Sequence, residues 1–314
     1  MLKIIILLSS YNGEKYIEKQ IDSILALDKY YRSVDGSVCL FEIELLVRDD
    51  GSTDRTIEIL SRYKEKGLLD FYSGLNKGIS QSFFDLMLHS PRADYYAFSD
   101  QDDFWLPGKI SKAISVLEDG DKNTIKLYGS NAKLVDKNLK SMNKFFYPKV
   151  FCPEFKLVSC SCGLLGCTMI FNDQLMSLFR ENKLPRKVIM HDYYITLLCC
   201  ACNGQVVFDN SSEILYRQHG KNVCGASINI VNKIKNHLRV LNTEPVISIA
   251  DQAKEILDNY AQNIDEGKTN WLTRISQYRK SFLSRLSLAL SKKFHFYSYK
   301  RAFAMRLHLL MGKM

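Results

Sequence analysis

The clearest pattern in the chain is a series of short apolar runs, each followed by a polar loop and then by apolar residues at helical spacing. Residues 4–8 form a continuous apolar run and residues 43–47 a similar one, as expected of strands buried on both faces of a parallel sheet. A further strand is predicted at residues 95–99, and a helix at residues 83–88 precedes it. This alternation predicts an α/β fold with an open, mainly parallel twisted sheet flanked by helices.

The second half of the chain gives a weaker pattern. Strands are predicted at residues 125–132 and 164–171, and a helix runs from residue 192 towards residue 202. Beyond Pro245, the last proline, apolar residues recur at helical spacing and basic residues occupy other faces. The pattern therefore predicts a helical C-terminal segment after the α/β domain.

Charge is distributed unevenly along the 314 residues, which carry a formal net charge of +9. Residues 267–314 contain eleven Lys and Arg residues and no Asp or Glu, and the rest of the chain is close to neutral. A nearly neutral body lacks the basic surface of a nucleic-acid-binding protein, so we expect no nucleic-acid partner. We expect a domain at residues 1–226 and a basic helical tail at residues 227–314.

The basic tail is expected to approach an anionic membrane surface. In that interpretation Trp271, Phe282 and Leu286 enter the lipid interface, whereas the alternative is a helix packed on the body with a solvated basic face. No apolar run has the length of a membrane span or of a signal-peptide core. The sequence thus predicts a cytoplasmic protein, peripheral on the inner face of the cell membrane.

Polar loops follow three of the predicted strands, at residues 9–12, 49–52 and 100–103. Ligands of open α/β sheets bind beyond the carboxyl ends of the strands, so we expect these loops to converge on one crevice. The loop at residues 100–103 has three carboxylates in four residues, which repel one another unless a cation neutralises them. This loop is a candidate site for a divalent cation, and a solvated acidic turn is the alternative.

Further candidate residues have ordinary structural explanations as well. Asp50 is placed to accept from a base N–H or a ribose hydroxyl, and Tyr11 offers a flat face to a nucleobase. Asp192 lies near a predicted helix start, where it stays ionised and can act as a base. Arg217 and His219 follow a predicted strand and offer a cation and an imidazole to a diphosphate or a metal. Turn, cap or packing roles are the alternatives.

Taken together, these residues resemble the inverting family-2 glycosyltransferases of GT-A fold, particularly the bacterial rhamnosyltransferase-like branch. The resemblance covers about residues 3–226 and rests on the order of six motifs. The motifs are SSYNGE at residues 9–14, DDGSTD at 49–54, NKGI at 76–79, SDQDDFW at 99–105, His191 with Asp192, and YRQHGKNV at 216–223.

The resemblance implies a nucleotide-sugar half at about residues 1–110 and an acceptor half at about residues 111–226. It implies Asp192 as the catalytic base. It also implies a Mg²⁺ or Mn²⁺ ion held by Asp102, Asp103 and His219, with Asp100 as another possible ligand. The donor-binding residues implied are Ser10, Tyr11, Asn12, Asp50, Lys77, Gly78, Asp100 and Arg217.

The predicted activity is metal-dependent, inverting transfer of a sugar from dTDP-rhamnose or a UDP-hexose to a hydroxyl of a glycan or lipid-linked glycan, in cell-surface polysaccharide synthesis. One alternative is a Mg²⁺-dependent phosphotransferase or phosphatase, although residues 9–12 lack the paired Asp that an aspartyl phosphatase needs. Another is an inactive membrane-bound scaffold, although Asp102 and Asp192 are both present. Asp173 and Asp209 are the next candidates for the base.

Overall fold

A computed structural model describes residues 1–147, 151–161, 163–219, 245–291 and 299–314. Within these ranges twelve strands form two sheets. The strands are β1 (Leu2–Ser10), β2 (Tyr30–Arg32), β3 (Val38–Asp49), β4 (Asp70–Ser73), β5 (Tyr95–Asp100), β6 (Phe104–Trp105), β7 (Lys126–Ser130), β8 (Lys133–Val135), β9 (Ser141–Phe145), β10 (Ile170–Asn172), β11 (Gln205–Asp209) and β12 (Ile214–Arg217).

Eleven α-helices lie in the described part of the chain, and none of them is long and apolar enough to cross a membrane. They are α1 (Ile17–Leu25), α2 (Thr56–Glu65), α3 (Ile79–His89), α4 (Lys109–Leu117), α5 (Phe155–Val158), α6 (Asp173–Arg180), α7 (His191–Ala201), α8 (Ile249–Tyr260), α9 (Glu266–Ser276), α10 (Phe282–Ala289) and α11 (Tyr299–Met311).

The larger sheet has the strand order β11-β7-β10-β5-β1-β3-β2, with β4 also pairing with β3. Strand β1 pairs in parallel with β3 and β5, and β3 pairs in parallel with β4. These pairings confirm the predicted α/β fold and its open sheet. Ser10 of β1 is aligned with Asp49 of β3, and Ser9 with Asp100 of β5. Three polar loops therefore leave the sheet side by side at one edge.

The centre of this sheet is buried on both faces, as the apolar runs predicted. Residues 4–8 of β1 are each at most 1% exposed. Ile17, Ile21 and Ile24 of α1 are buried, and so are Phe83 and Phe84 of α3. Helices that cover both faces of a parallel sheet bury its strands, so the sequence of such a strand is an uninterrupted apolar run.

The strand predicted at residues 164–171 is largely wrong. Only Ile170–Asn172 form a strand, and Gly166–Thr168 form a 3₁₀ turn before it. A buried turn has the same apolar composition as a buried strand, so periodicity does not separate them. Strand β10 runs antiparallel to β5, and Phe98 N–H donates to the Met169 carbonyl at 3.2 Å. The turn thus lies at the same sheet edge as the three polar loops.

The boundary at residues 226 and 227, and the part of the late motif at residues 220–223, lie outside the described residues. Helix α9 packs on the body: Trp271 is 4% exposed, and its indole N–H donates to Ser159 Oγ at 2.9 Å. The expectation that Trp271 enters a lipid interface is therefore wrong, because the body already buries its ring. By contrast, Phe282 and Leu283 of α10 are 61% and 74% exposed.

Candidate active site

A cavity of about 660 Å³ lies beyond the carboxyl ends of β1, β3 and β5. Its walls come from both halves of the α/β domain. The predicted site residues that line it are Tyr11, Asn12, Asp50, Gly78, Asp100, Asp102, Asp192 and His219. Four others do not line it, namely Ser10, Lys77, Asp103 and Arg217. The convergence expected from the sequence is thus observed for most of the predicted residues.

Side chains join the loop after β1 to the loop after β3. Asn12 has a φ of 48°, and its backbone N–H donates to Ser52 Oγ at 2.9 Å. Its side-chain oxygen accepts from Thr53 N–H, also at 2.9 Å. Ser10 is buried below, where its hydroxyl donates to Asp49 Oδ1 at 3.3 Å. Asn12 and Ser10 therefore shape the cavity by holding the two loops together.

Gln101 joins the loop after β1 to the loop after β5. Its amide accepts from Tyr11 N–H at 2.9 Å and donates to the Tyr11 carbonyl at 3.0 Å. Gly13 makes this clamp possible, because an added Cβ there would lie 2.2 Å from Gln101 Oε1. The ring of Tyr11 remains 47% exposed at the cavity, where a base can stack on it.

A buried ion pair fixes Asp50. The guanidinium of Arg48, 1% exposed, contacts the Asp50 carboxylate and donates to Ser82 Oγ at 3.0 Å. The Asp50 oxygens accept from Lys77 N–H at 2.9 Å and Gly78 N–H at 3.0 Å. The Asp50 carboxylate therefore holds the loop after β4 beside the cavity, because it accepts hydrogen bonds from the backbone of that loop. The sequence pattern of β3 did not indicate that Arg48 would be buried beside the site.

The side chain of Lys77 does not enter the cavity. Its ammonium pairs with Asp85 of α3 at 2.6 Å, and Asp85 also accepts from Tyr72 OH at 2.9 Å. Donor binding by this ammonium stays a prediction. The backbone N–H of Lys77 contacts Asp50, which does line the cavity.

Asp102 and His219 form the most exposed pair of candidate metal ligands. Asp102 Oδ2 lies 2.6 Å from His219 Nε2, and both residues line the cavity. Asp100 lines it as well, and burial together with Asp102 raises the pKa of Asp100 to about 8. A divalent cation beside these carboxylates removes the repulsion, and carboxylate oxygens are ligands that suit Mn²⁺ or Mg²⁺. The residues therefore fit a catalytic cation.

Asp103 lies behind this pair. It is fully buried, and its Oδ1 accepts from Arg217 N–H at 3.1 Å. Ligand atoms of Asp100, Asp103 and Cys167 lie within 4.8 Å of one another, so these three residues form a second candidate group deeper in the protein. Burial raises the pKa of Asp103 well above its usual value, with Asp102 and Asp100 adding to the effect. Of the two groups, Asp102 with His219 faces the cavity.

Arg217 supports this pair from behind. Its side chain, 1% exposed, donates to the Asp102 carbonyl at 2.6 Å and to the Lys137 carbonyl at 2.7 Å. Its guanidinium also lies over the ring of Tyr16, 4.6 Å from the centroid, and that ring stacks on His219 at 5.2 Å. Arg217 thus positions the backbone of Asp102, and Tyr16 orients His219.

Asp192 stands in the first turn of α7 and lines the cavity. Its Oδ1 accepts from Tyr193 N–H at 2.7 Å and its Oδ2 from Gly166 N–H at 2.9 Å. Burial raises the pKa of Asp192 to about 6, although these two backbone donors partly offset the effect. Each oxygen keeps a further lone pair for a substrate hydroxyl. A carboxylate with this pKa is ionised at neutral pH and still basic enough to accept a proton.

Asp173 and Asp209, the alternative candidates for the base, lie outside the cavity. Asp173 N–H donates to the Asp94 carbonyl at 3.0 Å, which places it at the opposite edge of the sheet. Asp209 lies at the end of β11, three strands away from β5, and accepts from Tyr128 OH at 3.0 Å. Neither residue lines the cavity.

Comparison with known proteins decides the family. Residues 5–174, more than half of the chain, match the sequence profile described as Glycosyl transferase family 2. The chain belongs to this family. It is therefore a glycosyltransferase, as the six motifs predicted, and the phosphotransferase alternative is set aside.

Two curated relatives cover most of this glycosyltransferase. A dTDP-rhamnosyl transferase, RfbG of Shigella flexneri, is 28% identical over 97% of this chain and 98% of its own length. An uncharacterized glycosyltransferase of Rickettsia typhi is 25% identical over 82% of this chain and 78% of its own length. Similarity to RfbG over nearly the whole of both chains agrees with the predicted rhamnosyltransferase-like branch.

Solved structures with the same fold include TarS of S. aureus. The TarS 1–349 structure superposes with a TM-score of 0.55 at 16% identity, covering 98% of this glycosyltransferase and 81% of the TarS chain. The same TarS segment in complex with UDP-GlcNAc gives a TM-score of 0.52 at 15% identity, covering 99% and 90% of the two chains. At these identities the likeness establishes the GT-A-type fold.

Proposed function

We propose that this glycosyltransferase moves a sugar, with inversion, from a nucleotide diphosphate donor to a hydroxyl group of a glycan acceptor. The observation that carries this proposal is the pairing of two groups in one cavity. The candidate cation site at Asp102 and His219 and the candidate base Asp192 line the same space of about 660 Å³. Such a space accommodates a nucleotide sugar and the end of an acceptor.

In the proposed reaction the loops after β1 and β3 bind the nucleoside. Tyr11 stacks on the base, Asp50 accepts from a base N–H or a ribose hydroxyl, and the Gly78 backbone lies beneath the diphosphate. Asp102 and His219, with Asp100 beside them, would hold a divalent cation, which would offset the charge on the leaving diphosphate. Asp192 accepts the proton of the acceptor hydroxyl while the acceptor oxygen forms the new bond to the anomeric carbon, and the bond between that carbon and the diphosphate breaks. A single displacement inverts that carbon.

Similarity to RfbG supports dTDP-rhamnose as the donor, and a UDP-hexose is the second candidate. The test is a thermal-shift screen with Mn²⁺ against dTDP-rhamnose, UDP-glucose, UDP-galactose and UDP-GlcNAc, followed by transfer assays with the donor that protects most. A donor present at one hundred times its Kd stabilises the folded state by about 2.7 kcal/mol. Protection by a UDP sugar alone would exclude dTDP-rhamnose. Release of free phosphate without sugar transfer would contradict the proposed reaction.

The acceptor we propose is a lipid-linked glycan at the cytoplasmic face of the membrane. This part of the proposal is supported by the pair formed by α10 and α11. Six apolar side chains on these helices or at the end of α10 are exposed, namely Phe282, Leu283, Leu290, Phe303, Leu307 and Met311. Residues 267–314 supply the positive charge that anionic lipid attracts. We name these six side chains the apolar tail face.

The apolar tail face is tested by vesicle sedimentation. The double variant Phe282→Ser with Leu283→Ser removes its two most exposed adjacent residues. It is expected to lower binding to vesicles containing anionic lipid while leaving nucleotide binding unchanged, because neither residue lines the cavity. The matched control is Val34→Ser, a residue between β2 and β3 that is also largely exposed (81%) and does not line the cavity. Equal vesicle binding by both variants would contradict the proposed membrane contact.

A further inference from the structure

Three side chains of α8 bind the backbone of residues 183–190, the segment that connects α6 to α7. This segment forms neither helix nor strand, so its backbone groups need hydrogen-bond partners elsewhere. In the three hydrogen bonds, Gln252 Oε1 accepts from Ile189 N–H at 3.0 Å, Glu255 Oε1 accepts from Lys187 N–H at 3.1 Å, and Asn259 Nδ2 donates to the Lys183 carbonyl at 3.2 Å. We call these three side chains the α8 clamp.

The spacing of the α8 clamp places its members on one face of the helix, because they stand three and four positions apart. Successive clamp residues bind successively earlier residues of the segment, so the helix and the segment run antiparallel. Gln252 is fully buried, and a capping box of Ser248 with Asp251 fixes the first turn of α8. On the α3 side, Gln81 Nε2 donates to the Pro185 carbonyl at 3.2 Å. The segment is therefore held by two helices.

The clamped segment leads directly to the candidate base. Met190, His191 and Asp192 follow Ile189 in the chain, and all three line the cavity. The Met190 carbonyl accepts from Tyr194 N–H at 3.0 Å, so the path of the chain at Met190 sets the first turn of α7. No member of the α8 clamp lines the cavity itself. The clamp can therefore affect the reaction only through the backbone that it binds.

We propose that the α8 clamp positions Asp192 against the acceptor hydroxyl, with Gln252 and Glu255 as positioning residues. The proposal rests on the proposed glycosyl transfer, and it gives a role in that reaction to a helix outside the matched family profile, which ends at residue 174. Gly166 N–H holds the Asp192 carboxylate directly, and the clamp holds the chain that precedes it. Proton transfer needs the base within hydrogen-bond reach, so a small displacement of this chain slows the reaction.

The test compares Gln252→Met and Glu255→Met, alone and together, with the conservative variant Glu255→Gln. Methionine approximates the length of both side chains but lacks their oxygen, whereas Gln at position 255 keeps an acceptor for the Lys187 N–H. Rates are measured separately against methyl hexosides as acceptors and against the donor identified by thermal shift. We expect the double variant to lower kcat/KM for the acceptor about tenfold, with donor KM unchanged. Glu255→Gln should stay close to wild type, as should the matched control Lys254→Met, an exposed neighbour outside the clamp.

Hydrogen exchange at the Lys187 and Ile189 amides shows whether the α8 clamp has been released, and faster exchange is expected in the double variant. Unchanged exchange, or faster exchange with wild-type acceptor kinetics, would overturn the positioning role while leaving the proposed function intact. Equal losses for donor and acceptor would overturn it as well, because they indicate a general loss of structure. If wild-type enzyme transfers no sugar from any donor, both proposals fail together. If the double variant does not fold, Glu255→Met against Glu255→Gln gives the same comparison.

Discussion

Replacing Asp192 by Asn tests the mechanism most directly, and the structure gives the size of its effect on stability. Both carboxylate oxygens accept a backbone N–H, so an Asn amide leaves one of these donors facing an NH₂ group. An unsatisfied buried donor costs about 1–3 kcal/mol. Against this, a pKa of about 6 means that ionised Asp192 is itself unfavourable in the folded protein. Relative to about 3.9 in an unfolded chain, that penalty at neutral pH is about 3 kcal/mol.

These two effects oppose each other, so the free energy of unfolding of Asp192→Asn at pH 7 should lie within about 2 kcal/mol of wild type. The raised pKa of Asp192 also determines whether its contribution to stability grows or falls with pH. Folding favours the protonated carboxyl, so this favourable contribution is fully present below pH 4 and is lost as the pH rises through 6. Wild type should therefore gain stability relative to the variant between pH 7 and pH 4, measured by denaturant unfolding at each pH.

Turnover should respond quite differently. The active form of Asp192 is the carboxylate, so wild-type kcat/KM should be level above pH 6 and fall below it, about tenfold lower at pH 5. Asp192→Asn should lose about 10²–10⁴-fold in kcat at neutral pH, with donor affinity nearly unchanged. Asp173→Asn, at the opposite edge of the sheet, is the matched control and should transfer normally. Turnover near wild type in Asp192→Asn would refute the assignment of the base.

Four further perturbations probe the rest of the site. Chelation should abolish transfer, and Asp102→Ala should weaken nucleotide diphosphate binding by calorimetry; full activity in excess chelator would exclude a metal. Gly13→Ala should displace the Gln101 amide, because its Cβ falls 2.2 Å from Oε1, and raise the donor KM; an unchanged KM would contradict this. Arg48→Met should cost about 3–5 kcal/mol in denaturant unfolding by leaving Asp50 buried without its partner, and a loss below 1 kcal/mol would count against the ion pair.

The part of the cavity formed by β1, β3 and β5 was predictable because its signals are local. Residues 4–8 are apolar without interruption, and the loops that follow β1, β3 and β5 carry Tyr11, Asp50 and Asp102, which line the cavity. Parallel strands bring such loops to one edge whatever the details of packing. The placement of Tyr11, Asp50 and Asp102 together needed no information beyond strand order.

The rest depends on contacts between distant parts of the chain. Arg48 is a polar residue inside a strand, and only its pairing with Asp50 and Asp85 explains why burial is tolerated. Gln101 lies between carboxylates, and its role becomes visible only when Tyr11 is seen 90 positions away in sequence. Likewise, helical spacing places Trp271 on an apolar stripe but does not say whether that stripe meets lipid or the body.

The reversed direction of β10 places two kinds of loop at the cavity. The loops after β1, β3 and β5, to which we assign the donor, are formed by chain leaving the sheet, whereas the turn at Gly166–Thr168 is formed by chain entering it. Strand β10 then ends at the sheet edge opposite the cavity, where the Asp173 N–H donates to the Asp94 carbonyl. Insertions or exchanges in the segment before β10 can therefore reshape that side of the cavity without shifting the register of β1, β3 and β5. Under the proposed assignment of the two substrates, acceptor preference can evolve while the donor-binding loops keep their positions.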